Sequence, residues 1–209
     1  MALVYAAAVL AADTLAVQHV RTPVNWGALR WRGPWGADFF KFFAWFVVPF
    51  VLSLPWLDAG WFGVRRWKRA DWFLLGGLAV AGAAAVALIP LVPSLRATYG
   101  SASFLPAGQK WAVLRHDVVW TLSWLLGWEF MHRYFMLRPV SRAWPRYGWL
   151  IIPLYEGAYH LQKPLIEAGG MVLFSLVLTY WALKRRNVLL PFLAHFIVEL
   201  ELVAFRLIF

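Results

Sequence analysis

The chain has no cysteine. Disulfides, thiolate metal ligands and a cysteine nucleophile are therefore excluded. Charge is scarce as well: only 14% of the 209 residues are Asp, Glu, Lys or Arg, against 62% that are hydrophobic. Soluble domains carry roughly a quarter charged residues, so a water-exposed globule is excluded. Acidic residues are the scarcer sign, ten against twenty basic, for a net charge of +10. A charged, cleavable leader is also lacking. Met1-Ala2-Leu3 runs straight into apolar sequence, which reads as a retained first helix. There is no internal repeat, and no low-complexity segment beyond an Ala-rich stretch with Gly76, Gly77 and Gly82, which reads as a helix-packing surface.

What fills the chain is a series of apolar runs at approximately 2–18, 38–57, 72–93, 111–137, 148–162, 168–183 and 188–205. A spanning helix needs about 20 mostly apolar residues, so the length holds about six to eight helices. The expected fold class is all-α: a polytopic transmembrane bundle of about seven helices. Residues 1–209 would form one transmembrane domain. The first run is interrupted by Asp13 and the fifth is short. Fifteen Trp, many near the ends of runs, suit the aromatic belts of a membrane protein.

The basic residues sit in short loops, so the partner they imply is anionic lipid rather than nucleic acid. Arg65, Arg66, Lys68 and Arg69 form one cluster; Arg138, Arg142 and Arg146 form a second; Lys184, Arg185 and Arg186 form a third. These fall after the second, fourth and sixth runs. The positive-inside rule makes those loops cytoplasmic and the 94–110 loop external. Arg21, Arg30 and Arg32 lie against that assignment.

Three runs carry ionisable residues four apart: Glu129 and Arg133, with His132 between them; Glu156 and His160; His195 and Glu199. Residues four apart share a helical face. A charge near the bilayer centre costs about 2.5–3.5 kcal/mol on insertion scales, so the three patches are expected to face one another or water. At a rise of about 1.5 Å per residue, Glu129 lies about 13 Å from Arg138, His195 about 13 Å from Arg186, and Glu156 about 15 Å from Arg146. All three patches are thus expected in one band on the cytoplasmic half. His116 and Asp117 read as interfacial, Asp13 and Lys41 as structural, and His19 carries no signal.

Carboxylates beside histidines in a semi-enclosed cavity suit activation of water by a general base, with another group stabilising an oxyanion. The same residues also suit a metal. Glu129-x-x-His132 has the spacing of carboxylate-bridged di-iron helices, and His160 and His195 could add nitrogen ligands to iron or zinc, but a second Glu-x-x-His is absent.

Trp128-Glu129-Phe130-Met131-His132-Arg133, His160-Leu161-Gln162-Lys163-Pro164 and His195-Phe196-Ile197-Val198-Glu199 resemble, in order and spacing, the motifs of the CPBP family of intramembrane proteases. That family includes CAAX prenyl endopeptidases and bacteriocin-processing or immunity proteins. The resemblance covers about 111–209, which would carry the catalytic core. The family patterns are Glu-Glu-x-x-x-Arg, Phe-x-x-x-His and His-x-x-x-Asn or Asp. The resemblance implies a glutamic-type endopeptidase needing no cofactor, with Glu129 and Arg133 in the first motif, His160 in the second and His195 in the third. A glutamate and the second-motif histidine would activate water, and the third-motif pair would hold the oxyanion.

Three positions depart from the patterns. Trp128 stands where the first Glu is expected, Glu156 where Phe is expected, and Glu199 where Asn or Asp is expected. Either Glu129 is then the base, or Glu156 restores the missing carboxylate one turn from His160. The leading expectation is an endopeptidase of a bacterial cytoplasmic membrane, cutting a membrane-bound or lipidated protein near its anchored or signal-bearing C-terminal end. A metal-dependent membrane enzyme comes second. A non-catalytic binding or immunity protein comes third, and Trp128 is the residue that argues for it.

Overall fold

The computed structural model describes residues 1–17 and 31–209. The described chain is all-α. Eight helices follow one another: α1 (Ala2–Val17), α2 (Phe39–Trp56), α3 (Arg69–Ala87), a short α4 (Pro93–Thr98), α5, α6 (Ile151–Tyr159), α7 (Leu165–Arg185) and α8 (Leu189–Ile208). Helix α5 begins as Ala107–Phe130, passes through a π-helical turn at Met131–Met136 and ends as Leu137–Ala143. Each of the seven apolar runs is a helix, and Asp13 does not interrupt α1. Prolines mark the starts: Pro106 and Pro164 stand just before α5 and α7, where a fixed φ and a missing N–H do no harm. Arg186, with φ of 51°, ends α7 in the left-handed conformation, and the Asn187 side chain then accepts from the Leu189 N–H.

Three helices, α2, α3 and α7, are long and apolar enough to cross a membrane. The chain is an integral membrane protein. Trp72, Phe73 and Val80 on α3 and Leu173 and Tyr180 on α7 are exposed, as lipid-facing side chains are in a protein whose solvent on those faces is hydrocarbon. Helices α5 and α8 have the length, but their ionisable residues face inward: Glu129 and His195 are buried.

The core forms around α5. Leu125, Trp128, Met131, Phe135 and Leu137 are buried there against α1, α2 and α6. At Gly127 a Cβ would come within 2.7 Å of the Trp45 Cβ and 2.9 Å of its carbonyl carbon, so the α2 and α5 backbones touch as only a small residue permits. Helix α8 packs between α5 and α3, and α6 pairs with α7. A second, smaller cluster of Leu178, Trp181, Leu190 and Ala194 joins α7 to α8.

The three basic loops meet at one end of this bundle. Arg185 pairs with Asp71 at 2.9 Å, Arg66 donates to the Arg186 carbonyl, and Arg138 donates to the Trp56 carbonyl at 2.5 Å. The opposite end is built from the start of α2, the 94–110 segment, the α6–α7 corner and the end of α8. It carries Arg32, Lys41, Lys163 and Arg206, each beside a carboxylate: Asp38, Asp13, Glu167 and Asp117. Arg21, Arg30 and His19 lie outside the described residues.

Candidate active site

The hydrogen bonds of the four-apart residues run mainly between helices. Arg133 instead reaches across to α6 and grips Glu156 with both terminal nitrogens; Nη2 stands 3.0 Å from Oε2, and Nη1 donates to Oε1. Glu129 accepts at Oε1 from His195 Nδ1 on α8, 2.7 Å away, while its Oε2 lies 3.4 Å from Arg133 Nε. Glu129, Arg133 and Glu156 are all 0% exposed, as is His132. The π-helical turn Met131–Met136 carries His132 and Arg133, and such widened turns commonly re-aim side chains at functional sites. The result is a dry ionic layer of two carboxylates and one guanidinium, joined to α8 through an imidazole. Breaking up such a layer is expensive because each remaining charge would be left unpaired in a low dielectric.

The histidines fall into two groups. His132 Nδ1 donates to the Trp128 carbonyl, 2.8 Å away, and the imidazole packs on the Trp128 ring with centroids 4.2 Å apart. Its Nε2 is enclosed without a partner. His160 Nδ1 lies 2.8 Å from the Glu156 carbonyl, and His195 Nδ1 lies on Glu129. A carbonyl and an ionised carboxylate only accept, so in both rings Nδ1 bears the proton and Nε2 bears the lone pair.

His160 and His195 both line a cavity of about 500 Å³. Its walls come from α1, α2, α5, α6 and α8, and Tyr99 and Thr98 close it from the α4 side. Of the expected site residues, His160, His195 and Glu199 line this cavity, whereas Glu129, Arg133 and Glu156 do not. Glu129 and Glu156 lie buried behind the cavity wall. The space opens away from the three basic loops, because it is lined by the first half of α5 and the second half of α8. The residue facing it from the first motif is Trp128, whose ring stands edge-on to His160 with centroids 5.7 Å apart. Glu199 lies 3.9 Å from His195 Nε2, beyond hydrogen-bond distance.

Sequence reasoning missed the N-terminal wall. Asp13 accepts from the Tyr159 hydroxyl and lies 3.4 Å from Lys41 Nζ, which sits 4.6 Å above the Trp45 ring. Asp38 caps the start of α2 and pairs with Arg32 at 2.9 Å. Asp117, read as interfacial, lines the cavity and pairs with Arg206 at 3.0 Å. A signal was present. Asp13 and Lys41 lie inside apolar runs, which is the criterion that singled out the C-terminal pairs. At the rim, Lys163 is 2.6 Å from Glu167 and 3.1 Å from the Tyr99 hydroxyl. Burial pushes Tyr99 well above the ordinary phenol range. Burial opposes the Lys163 ammonium, but Tyr99 and Glu167 beside it hold its pKa above the ordinary lysine value.

Among the described residues no three His, Asp or Glu side chains converge as a metal-binding group. Of the proposed donors, Glu129 is taken up by His195 and the Arg133 guanidinium, and His132 and His160 bond through Nδ1 to separate backbone carbonyls. The donor set does not fit a metal.

A buried carboxylate–imidazole pair and a second, cavity-lining histidine thus lie together inside the helix bundle. The chain belongs to the type II CAAX prenyl endopeptidase Rce1-like family, whose sequence pattern it matches over residues 5–200. The members are membrane endopeptidases. The match starts well ahead of the three motifs, and so takes in α1 and α2, which supply the cavity's N-terminal wall. No curated protein and no solved structure matches the chain.

Proposed function

We propose that the protein hydrolyses a peptide bond of a protein held at the membrane by a lipidated or apolar C-terminal segment, using a water activated by histidine. The observation that carries this reading is the shared orientation of His160 and His195. Each has Nδ1 committed behind it, to the Glu156 carbonyl and to Glu129, and each lines one cavity. Two lone-pair nitrogens from separate helices therefore serve the same enclosed space.

His195 is the base. Its Nε2 takes a proton from water as the oxygen attacks the scissile carbonyl carbon, and Glu129 stabilises the positive charge that develops on the ring. Collapse of the tetrahedral intermediate breaks the C–N bond, and the imidazolium returns the proton to the departing amine. His160 faces the same intermediate from the turn that follows α6. Glu156 and Arg133 position both helices and take no part in the proton transfers. The exposed apolar faces of α3 and α7 keep the site in a bilayer, where an anchored tail is presented at high local concentration. We take that bilayer to be a bacterial cytoplasmic membrane, with the three basic loops inside.

The test uses purified protein in vesicles with two quenched peptides, one farnesylated on a CAAX-type C-terminus and one ending in an unlipidated apolar tail. Cleavage of either, abolished by His195→Ala and by His160→Ala, is the expected result. A folded protein that binds such tails without cutting them would instead fit a binding or immunity role.

A further inference from the structure

We propose that Lys41 and Gln162 hold the main chain of the bound peptide beside His160, by hydrogen bonds to its carbonyl and amide groups. The proposal rests on the endopeptidase reading above and adds to it a subsite for peptide backbone. Four cations of the described chain line the cavity: Arg32, Lys41, Lys163 and Arg206. Three are held firmly, Arg32 by Asp38 at 2.9 Å, Lys163 by Glu167 at 2.6 Å and Arg206 by Asp117 at 3.0 Å. Lys41 is different. Its Nζ stands 3.4 Å from Asp13 Oδ2, whereas charge-assisted hydrogen bonds run at about 2.7–2.9 Å. That Asp13 oxygen already accepts from the Tyr159 hydroxyl. Among the described residues the Lys41 ammonium donates no hydrogen bond, so three N–H donors remain at the cavity wall. Gln162 lines the same cavity and ends the turn His160–Gln162 that carries His160. Its Oε1 is enclosed with no partner, and its carboxamide stands beside the Tyr159 hydroxyl, which is committed to Asp13.

A peptide drawn into an enclosed space within a membrane bundle brings backbone N–H and C=O groups, and each costs free energy if left unmatched. The helices around it spend their own backbone groups internally, so side chains must supply the partners. A carboxamide presents a donor and an acceptor side by side, the complement of a peptide unit, and an ammonium donates to a carbonyl oxygen. Asp13 already balances the Lys41 charge, so the acceptor that suits Lys41 is a neutral carbonyl and not a further carboxylate. Both side chains stand close to the histidine. Lys41 Nζ lies over the Trp45 ring, which meets the Tyr159 ring edge-on with centroids 6.0 Å apart, and Tyr159 immediately precedes His160. An extended chain advances about 3.3 Å per residue, so a peptide bonded to both side chains passes His160 within a few residues of the bond to be cut. Neither residue moves a proton. Each binds ground state and transition state alike.

The experiment uses the full chain in vesicles and whichever of the two peptides wild type cleaves. That peptide is compared with versions in which one amide at a time near the cleaved bond is replaced by an ester, which lacks the N–H and accepts more weakly. Gln162→Ala is expected to raise KM about tenfold, the worth of one hydrogen bond, with kcat within about threefold. In wild type, one ester position should cost about as much. In Gln162→Ala the same ester should cost less than about twofold, because its partner is already gone. Lys41→Met alone would leave Asp13 without its cation, so it is combined with Asp13→Asn, and KM should again rise about tenfold. Thermal unfolding in detergent checks folding, and if the combined variant does not fold, the Gln162 arm decides alone. Wild type indifferent to every ester overturns the proposal and leaves the endopeptidase reading standing. So does a folded Gln162→Ala that keeps the full ester penalty, or a folded Lys41→Met with Asp13→Asn whose KM stays within about threefold of wild type. A fall in kcat with KM and ester penalty unchanged assigns these residues a structural role, and also overturns it. If wild type cleaves neither peptide, both fall together.

Discussion

Two layers of the molecule use the same residue types for different purposes. In the sealed layer, Glu129, Arg133 and Glu156 are 0% exposed and bonded across helices, with His132 buried among them. In the cavity layer, His160, one turn beyond Glu156, and His195 and Glu199 on α8 line an open space. His160 follows α6 directly, four residues after Glu156, yet the carboxylate turns to Arg133 and the imidazole lines the cavity. What separates a structural charge from a reactive one here is access to water. Charges cut off from water must neutralise one another, and once they do they are held too firmly to exchange protons with a substrate.

The largest expected effect comes from breaking the sealed layer. Arg133→Met leaves two buried carboxylates without a counter-charge, and loss of about 3–5 kcal/mol is expected. Thermal unfolding of the purified protein in detergent measures it, and adding Glu129→Gln and Glu156→Gln to the same chain should recover part of the loss. If Arg133→Met unfolds at the wild-type temperature, the layer does not hold the fold.

Next come changes in the cavity layer. His195→Ala should lower kcat by about 10²–10⁴-fold, the usual contribution of a positioned base, while leaving the unfolding temperature within a few degrees. A large drop in stability at unchanged kcat would reverse the roles assigned to the layers. Glu129→Gln probes the link between them. It keeps an acceptor for His195 Nδ1 but removes the charge, and a smaller loss, about ten- to a hundredfold, is expected by analogy with partners that orient metal-bound imidazoles. Activity equal to wild type would show that Glu129 does not support His195.

The smallest effect is on topology alone. Because the chain has no cysteine, single introduced cysteines report cleanly. With the basic loops inside, Ser101→Cys should react with an impermeant maleimide in intact cells, and Lys184→Cys only after permeabilisation. The reverse pattern would turn the cavity mouth toward the cytoplasm and favour a tail made and lipidated there.

Much of this was legible from residues alone. The seven apolar runs are helices because unbroken hydrophobic stretches of this length have no other way to satisfy their backbone in lipid. The residues at 129, 133, 156, 160, 195 and 199 were conspicuous for a related reason: charge inside such a run persists only where something compensates it. Partner choice was not legible. Spacing by four places Glu129 beside Arg133, 3.4 Å apart in the fold, but does not show that Arg133 also grips Glu156 or that Glu129 accepts from His195. Asp13 and Lys41 were passed over because each stands alone in its own helix, and only the packing of α1 against α2 brings them within 3.4 Å.

The sequence by itself determined that the protein lives in a membrane, that it is helical, and which few side chains carry charge into the interior. All three follow from local hydrophobicity and helical periodicity. Only the tertiary structure decided which of those charges meet water. Exposure depends on how the faces of different helices are turned toward one another, and no single helix contains that information. For this reason Trp128 and Glu199, not Glu129, came to face the cavity where chemistry is expected.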